Sequence, residues 1–255
     1  MIHLFFESGL FIVGYMTLIF GLAILIKNNS IVDIFWGIGF ILIMLFSSNF
    51  KISDYFATNL FNALILLWGF RLSIHIFIRN HSKDEDFRYK NWRNTWKYFY
   101  LRSFLQIFML QGFIMWLISI PIIKFNYRAI NELSYFYYIG ISIFFIGFLF
   151  ETISDYQLLN FKKNKKNKGK IITIGLWRYS RHPNYFGEAL LWWGLAIAGI
   201  ENTGDIYLLI SPLLITFLLR YVSGVPMLEE KYKNNPEFIE YSKKTSVFIP
   251  LIQKK

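Results

Sequence analysis

Seven stretches of the chain are apolar over close to the about 20 residues that a helix needs to cross a bilayer. They fall at 9–26, 34–50, 60–78, 104–123, 135–153, 183–200 and 206–225. The second and sixth are short, and the sixth crosses only if it begins at Pro183; with one of them re-entrant, six spans remain. Polar residues collect in blocks between the runs. The pattern therefore predicts an all-α integral membrane protein, a seven-transmembrane helix bundle. The loops 79–103 and 154–182 and the tail 227–255 are left to form its aqueous face. No internal repeat or separate soluble domain interrupts it, so 1–255 reads as a single membrane domain, with 139–250 its most characteristic segment.

Charge gives this bundle a direction. With the N-terminus outside, 22 of the 27 Lys and Arg residues fall on the inner side and only Lys51, Lys124 and Arg128 on the outer; Arg71 and Arg220 lie within spans. Such asymmetry predicts an N-terminus out and a cytosolic C-terminus. Lys83, Lys254 and Lys255 are part of the inner set. The first ten residues carry no Lys or Arg, so the first apolar run is expected to stay as a helix rather than be cleaved as a signal. Composition agrees: 55% of residues are hydrophobic, 17% are charged and mean hydropathy is +0.39. The net charge of +11 does not point to nucleic acid, because the basic residues lie between apolar runs instead of on one soluble face. The absence of cysteine excludes disulfides, thiolate metal sites and cysteine nucleophiles. The run KKNKKNKGK at 162–170 reads as a solvated, lipid-facing basic loop, with steering of an anionic ligand the alternative.

Candidate chemistry gathers after the fifth run, at GLWRYSRHPNYFGE, residues 175–188. Pro183 suits the first turn of a helix, which puts a positive helix end next to Arg178, Arg181 and His182. That combination favours a phosphate or carboxylate. Gly187 permits another backbone or a flat ligand to come close. Asn184, Tyr185 and Glu188 are polar within two turns of an otherwise apolar helix, and such groups need partners. Other polar outliers could join them. Arg71 and His75 share a face of the third run. Arg71 lies about 12 Å from the inner end at 1.5 Å per residue, so it serves a site or pairs with Glu151. Glu151 and Asp155 share a face at the inner end of the fifth run. Asp33 opens the second, as a cap or a functional carboxylate, and Gln111 suits an interhelical hydrogen bond.

These residues carry a resemblance. SIVDIFWGIGF at 30–40, WGFRLSIHIFIRN at 68–80 with EDFRY at 85–89, and SDYQ at 154–157 resemble the DUF1295 family, relatives of the steroid 5-alpha-reductases. So do GLWRYSRHPNYFGEALLWWG at 175–194 and the tail from SGVPMLEE to FIEYSKKTSVFIPL. The resemblance spans nearly the whole chain and brings in the 3-oxo-5-alpha-steroid 4-dehydrogenase C-terminal domain superfamily. It implies a seven-helix bundle in which NADPH, entering from the cytosol, reduces a carbon–carbon double bond of an enone or enoyl group in a lipophilic substrate, a steroid-like one among the candidates. Asn184 and Glu188 would then stand by the nicotinamide, with Asp155 and Glu151 in the surrounding polar network. Arg178, Arg181, His182 and Tyr185 would line the phosphates and ribose, with Arg71 and Arg79 as further cationic contacts. The acid that polarises the ketone falls to Glu188, Tyr185 or Asp33, since Asp33 is the carboxylate nearest the start of the second run. No metal is implied. Membrane lipid and the lipophilic substrate are the expected partners, in a bacterial inner membrane. The element RHPNYFG is also similar to the isoprenylcysteine and phospholipid methyltransferases, whose acidic, tyrosine-bearing ends Glu229, Glu230 and Tyr241 loosely match. The alternative is thus an S-adenosylmethionine-dependent membrane methyltransferase.

Overall fold

A bilayer offers backbone N–H and C=O groups no partner outside their own segment, so apolar runs of this length fold as helices. A computed structural model describes residues 1–81, 84–128 and 134–253, and among them every regular element is helical. Lys83, Lys254 and Lys255, counted above on the inner side, lie outside the described residues. The α-helices are α1 (Ile2–Leu25), α2 (Ile31–Ser47), α3 (Phe56–Asn80), α4 (Phe87–Thr95), α5 (Phe99–Ser103) and α6 (Leu110–Ile118). They continue as α7 (Ile120–Arg128), α8 (Tyr135–Lys163), α9 (Pro183–Ala198), α10 (Ile210–Phe217), α11 (Val225–Tyr232) and α12 (Pro236–Lys244). Among the described residues, five stretches are long and apolar enough to cross a membrane: α1, α3, Phe99–Ile118, α8 and Thr203–Tyr232. The helix α2 is apolar but has 17 residues, and α9 has 16. These are the two runs whose shortness is evident in the sequence.

The chain forms two compact units, Met1–Leu133 and Ser134–Lys255. In the first, α2 and α3 touch through backbone. A Cβ at Gly37 would lie 2.3 Å from the Gly69 carbonyl oxygen, and one at Gly69 would lie 2.8 Å from that of Gly37. Phe40 and Trp68 meet edge to face beside this contact, and Phe61 stacks on Phe125 at 4.0 Å. The fourth run does not continue as one helix to residue 123. It breaks at Ser119, because Pro121 has no N–H to give and crowds the carbonyl one turn back. The chain continues as the separate helix α7. Lys124, expected in an outer loop, is consequently buried on that helix at 1% exposure.

The second unit is built on an antiparallel seam between α8 and α9. A Cβ at Gly140 would lie 2.3 Å from Ala198 N, and one at Gly194 2.5 Å from Phe144 N. One turn-pair further along, a Cβ at Gly147 would lie 2.5 Å from Leu191 N and one at Gly187 2.4 Å from Glu151 N. Helices in lipid gain no hydrophobic drive towards one another and associate through such small-residue packing.

Candidate functional site

The seam brings polar residues together where it ends. Glu151 and Asp155, 2% and 6% exposed, face α9 from the last spanning turns of α8. The Asn184 amide nitrogen donates to Asp155 Oδ1 at 3.1 Å. A carboxylate only accepts here, so this bond orients the amide and turns Oδ1 away. Asn184 Oδ1 is buried and accepts no hydrogen bond among the described residues. The chain enters α9 through a 3-10 turn at Gly175–Arg178. Gly175 sits there at φ +62°, and a Cβ would meet the Gln157 side chain at 2.5 Å, so backbone and packing both require glycine. The turn is pinned to α8 by Leu176 N donating to Gln157 Oε1 at 3.0 Å and Trp177 Nε1 donating to the Ser154 carbonyl at 3.1 Å. Arg178 is left exposed on this turn, with no hydrogen bond or ion pair among the described residues.

Arg181 and His182 are held quite differently. The Arg181 guanidinium donates to both Glu229 carboxylate oxygens, at 2.8 and 3.1 Å, and to the carbonyls of Ser242 and Thr245 at 2.8 and 3.2 Å. Four of its five N–H groups are therefore taken by protein. His182 Nε2 lies 3.0 Å from Glu229 Oε1. The carboxylate must accept, so Nε2 carries the proton and Nδ1 is a bare, buried acceptor with no partner among the described residues. Burial, reinforced by the charge of Arg181, lowers the His182 pKa although Glu229 pulls the other way. The imidazole is thus neutral near pH 7. Tyr185 stacks on its face with the rings 4° from parallel. The tail completes the clamp. Arg181 N donates to Ser246 O at 2.8 Å, Ser180 Oγ to Phe248 O at 2.7 Å, and Leu251 N to Tyr179 O at 2.9 Å. Tyr241 donates its hydroxyl to Trp177 O.

The first unit holds a separate polar cluster around Asp33. Tyr89 donates to Asp33 Oδ1 at 2.8 Å, and Arg88 reaches Oδ2 at 3.4 Å while its Nε donates to Asp86 at 2.9 Å. Asp33 does not cap α2; its carboxylate is used by α4. Gln111 makes a long contact, 3.5 Å, to the same Tyr89 hydroxyl. Glu85 accepts from Asn29 N at 2.8 Å and from Arg93 through two bonds, docking the segment before α4 on the turn between α1 and α2. Tyr89 is buried, and this together with the neighbouring Asp33 charge raises its pKa well above the usual phenol value. Its proton is firmly held. Arg71 and Arg79 lie on α3 of this unit, half-buried and exposed respectively.

The description "Protein of unknown function (DUF1295)" matches residues 19–245, most of the chain and both polar clusters. The chain belongs to the DUF1295 family. It is 29% identical over 113 residues to "3-oxo-5-alpha-steroid 4-dehydrogenase 1" of Rattus norvegicus, covering 44% of this chain and 40% of the rat protein. It is also 33% identical over 98 residues to "Protein-S-isoprenylcysteine O-methyltransferase" of Saccharomyces cerevisiae, 36% of this chain and 37% of the yeast protein. A third match, 42% over 59 residues, is to "Probable O-methyltransferase ustE" of Ustilaginoidea virens, 23% of this chain and 21% of that one. The chain thus matches well under half the length of each of these relatives. No solved structure matches it significantly.

In this DUF1295 protein, eight residues singled out from sequence fall in the second unit: Glu151, Asp155, Arg178, Arg181, His182, Asn184, Tyr185 and Glu188. Asp33, Arg71 and Arg79 fall in the first. One participant, Tyr89, and one pairing, of the already noted Glu229 with Arg181, escaped the sequence reading. Tyr89 sits in a loop helix with no apolar period to mark it, and the pairing of Glu229 with Arg181 joins residues 48 positions apart. The available signals were the EDFRY and MLEE segments, which resemble the family without indicating their partners.

Proposed function

We propose that the protein is a membrane-embedded, NADPH-dependent reductase of a carbon–carbon double bond in a lipophilic enone or enoyl substrate. The observation that carries this reading is the Asn184 amide. Its nitrogen is engaged by Asp155, and its oxygen is a buried acceptor in want of a donor. Burying an unsatisfied acceptor is costly, and the carboxamide N–H of a nicotinamide supplies such a donor. The bare Nδ1 of His182, two residues away, is a second acceptor of the same kind. Arg178, exposed beside the N-terminal end of α9, suits a phosphate. Relatives named as steroid dehydrogenases support the same reading.

When bound, the cofactor supplies a hydride. The chain's own residues orient it and keep water out: Asp155 sets the Asn184 amide, while Tyr185 and the tail wall the entrance around His182. Glu188, one turn into α9, and Tyr185 belong to this polar lining. The acid that polarises the ketone oxygen would be Tyr185 or Glu188, on the same helix as Asn184. Under this reading α2 and α9 also cross, giving seven spans with the N-terminus out and the C-terminus cytosolic, in a bacterial inner membrane.

The second reading, an S-adenosylmethionine-dependent methyltransferase, is favoured by the yeast relative and by the Arg181–His182–Glu229 group. Calorimetric titration of the detergent-purified protein separates the two. NADPH is expected to bind, and Arg178→Ala to weaken it at least tenfold, the loss of one hydrogen bond to a charged group. Binding of S-adenosylmethionine without NADPH would replace the reductase reading with the second.

A further inference from the structure

The basic loop at 162–170 plays no part in either cluster. Its six lysines are all exposed. Lys163, Lys165, Lys166, Lys168 and Lys170 make no ion pair among the described residues. Elsewhere on the surface Lys90, Lys233 and Lys244 are each matched by a carboxylate, of Asp84, Glu230 and Glu240. The exposed Lys27, Lys51, Lys97 and Lys243 have no ion pair among the described residues but lie apart in the chain; the loop differs in gathering five such lysines within eight residues. The unmatched charge is held in a defined place. Asn164 caps the short turn Lys165–Asn167, Asn167 donates to Phe161 O at 3.0 Å, and Ile171 N donates to Glu237 at 3.2 Å on the way back.

Helix length sets the depth of that place. From Tyr135 to the exposed Tyr156, α8 rises about 32 Å at 1.5 Å per residue, close to the hydrocarbon thickness. The lysines start about 10 Å further on. The headgroup layer is roughly 5–8 Å deep on each side, and charges interact across about 8 Å at physiological salt. The loop therefore stands against the headgroups.

We infer that the loop at 162–170 is a docking surface for anionic lipid headgroups in the leaflet at the C-terminal end of α8. The full chain, reconstituted in phosphatidylcholine bilayers, would be probed with spin-labelled phosphatidylglycerol and spin-labelled phosphatidylcholine, reading the motionally restricted fraction of each. The wild type is expected to prefer the anionic lipid about threefold or more, and to lose that preference in about 0.5 M salt. Changing the five unpaired lysines together (Lys163→Gln, Lys165→Gln, Lys166→Gln, Lys168→Gln and Lys170→Gln) should bring the ratio to about 1. No preference in the wild type, or an unchanged one in the variant, overturns the inference. So does a variant that keeps the lipid preference but binds NADPH more weakly, since the charge would then serve a soluble anion. The salt arm needs no variant and the lipid probe needs no cofactor, so failure of the reductase reading leaves this test intact.

Discussion

Arg181 is the residue whose removal should do most to the second unit, and the effect is calculable. Arg181→Ala leaves Glu229 with only His182 as a partner and strips donors from the carbonyls of Ser242 and Thr245. The Arg181 and Glu229 side chains are only 9% and 23% exposed, so the pair behaves as a buried one. Breaking a buried pair by deleting one partner costs about 3–5 kcal/mol. The partial exposure of Glu229 argues for the lower end, about 3 kcal/mol, or roughly a hundredfold in an equilibrium constant. The cost falls on the docking of the tail and not on the helix seam, which Arg181 does not touch. Hydrogen exchange of the detergent-solubilised protein reads it directly, because the Leu251 amide is protected only by its bond to Tyr179 O. Peptides covering 236–253 should exchange about a hundredfold faster in Arg181→Ala. Arg181→Lys should open the tail to an intermediate degree, since an ammonium cannot span two carboxylate oxygens and two carbonyls. Arg178→Ala is the control and should leave exchange unchanged. If Arg181→Ala leaves the tail protected, or Arg178→Ala opens it equally, the clamp does not exist as described.

Two further expectations follow from the same unit. Gly187→Ala places a Cβ 2.4 Å from Glu151 N and should cost about 1–3 kcal/mol by forcing α8 and α9 apart. Thermal denaturation in detergent would show it, with Gly14→Ala, which meets nothing within 4 Å, as the neutral comparison. Because the His182 pKa is lowered by burial from its usual 6.5, the unfolded chain binds the extra proton first. Its contribution to stability is complete above about pH 6.5 and is lost as pH falls towards the folded value. Thermal midpoints should therefore drop on acidification below pH 6.5, and less so in His182→Asn; an equal drop in both would assign the effect to other groups.

Helical class and the outlying polar residues were legible because they depend on local properties. A long apolar run has one way to satisfy its backbone in lipid, and an Asn or Glu inside such a run announces itself. The close approach allowed by Gly187 was readable too, and the structure supplies the backbone of Glu151 as the group that approaches. What could not be read depends on distant residues. Nothing around Glu229 says that it will meet Arg181, and nothing around Tyr89 says that it will meet Asp33. The break at Ser119 was legible in principle through Pro121, but apolar composition continues across it and conceals that Lys124 lies on a further helix, where it is buried.

The seam explains why the second unit's polar groups lie where they do. Contact of α8 with α9 through Gly140, Gly194, Gly147 and Gly187 leaves no room for side chains between the backbones. Where the glycines stop, the same line of contact continues into Glu151, Asp155 and Asn184. Glu151 and Asp155 are buried there, and the Asn184 side-chain oxygen with them, so these groups need polar partners other than bulk water. The orientation of the Asn184 amide is thus a product of helix packing one and two turns below it. A substitution such as Gly147→Ala, which touches no polar atom of the cluster, should accordingly displace it as effectively as a change at Asp155 itself.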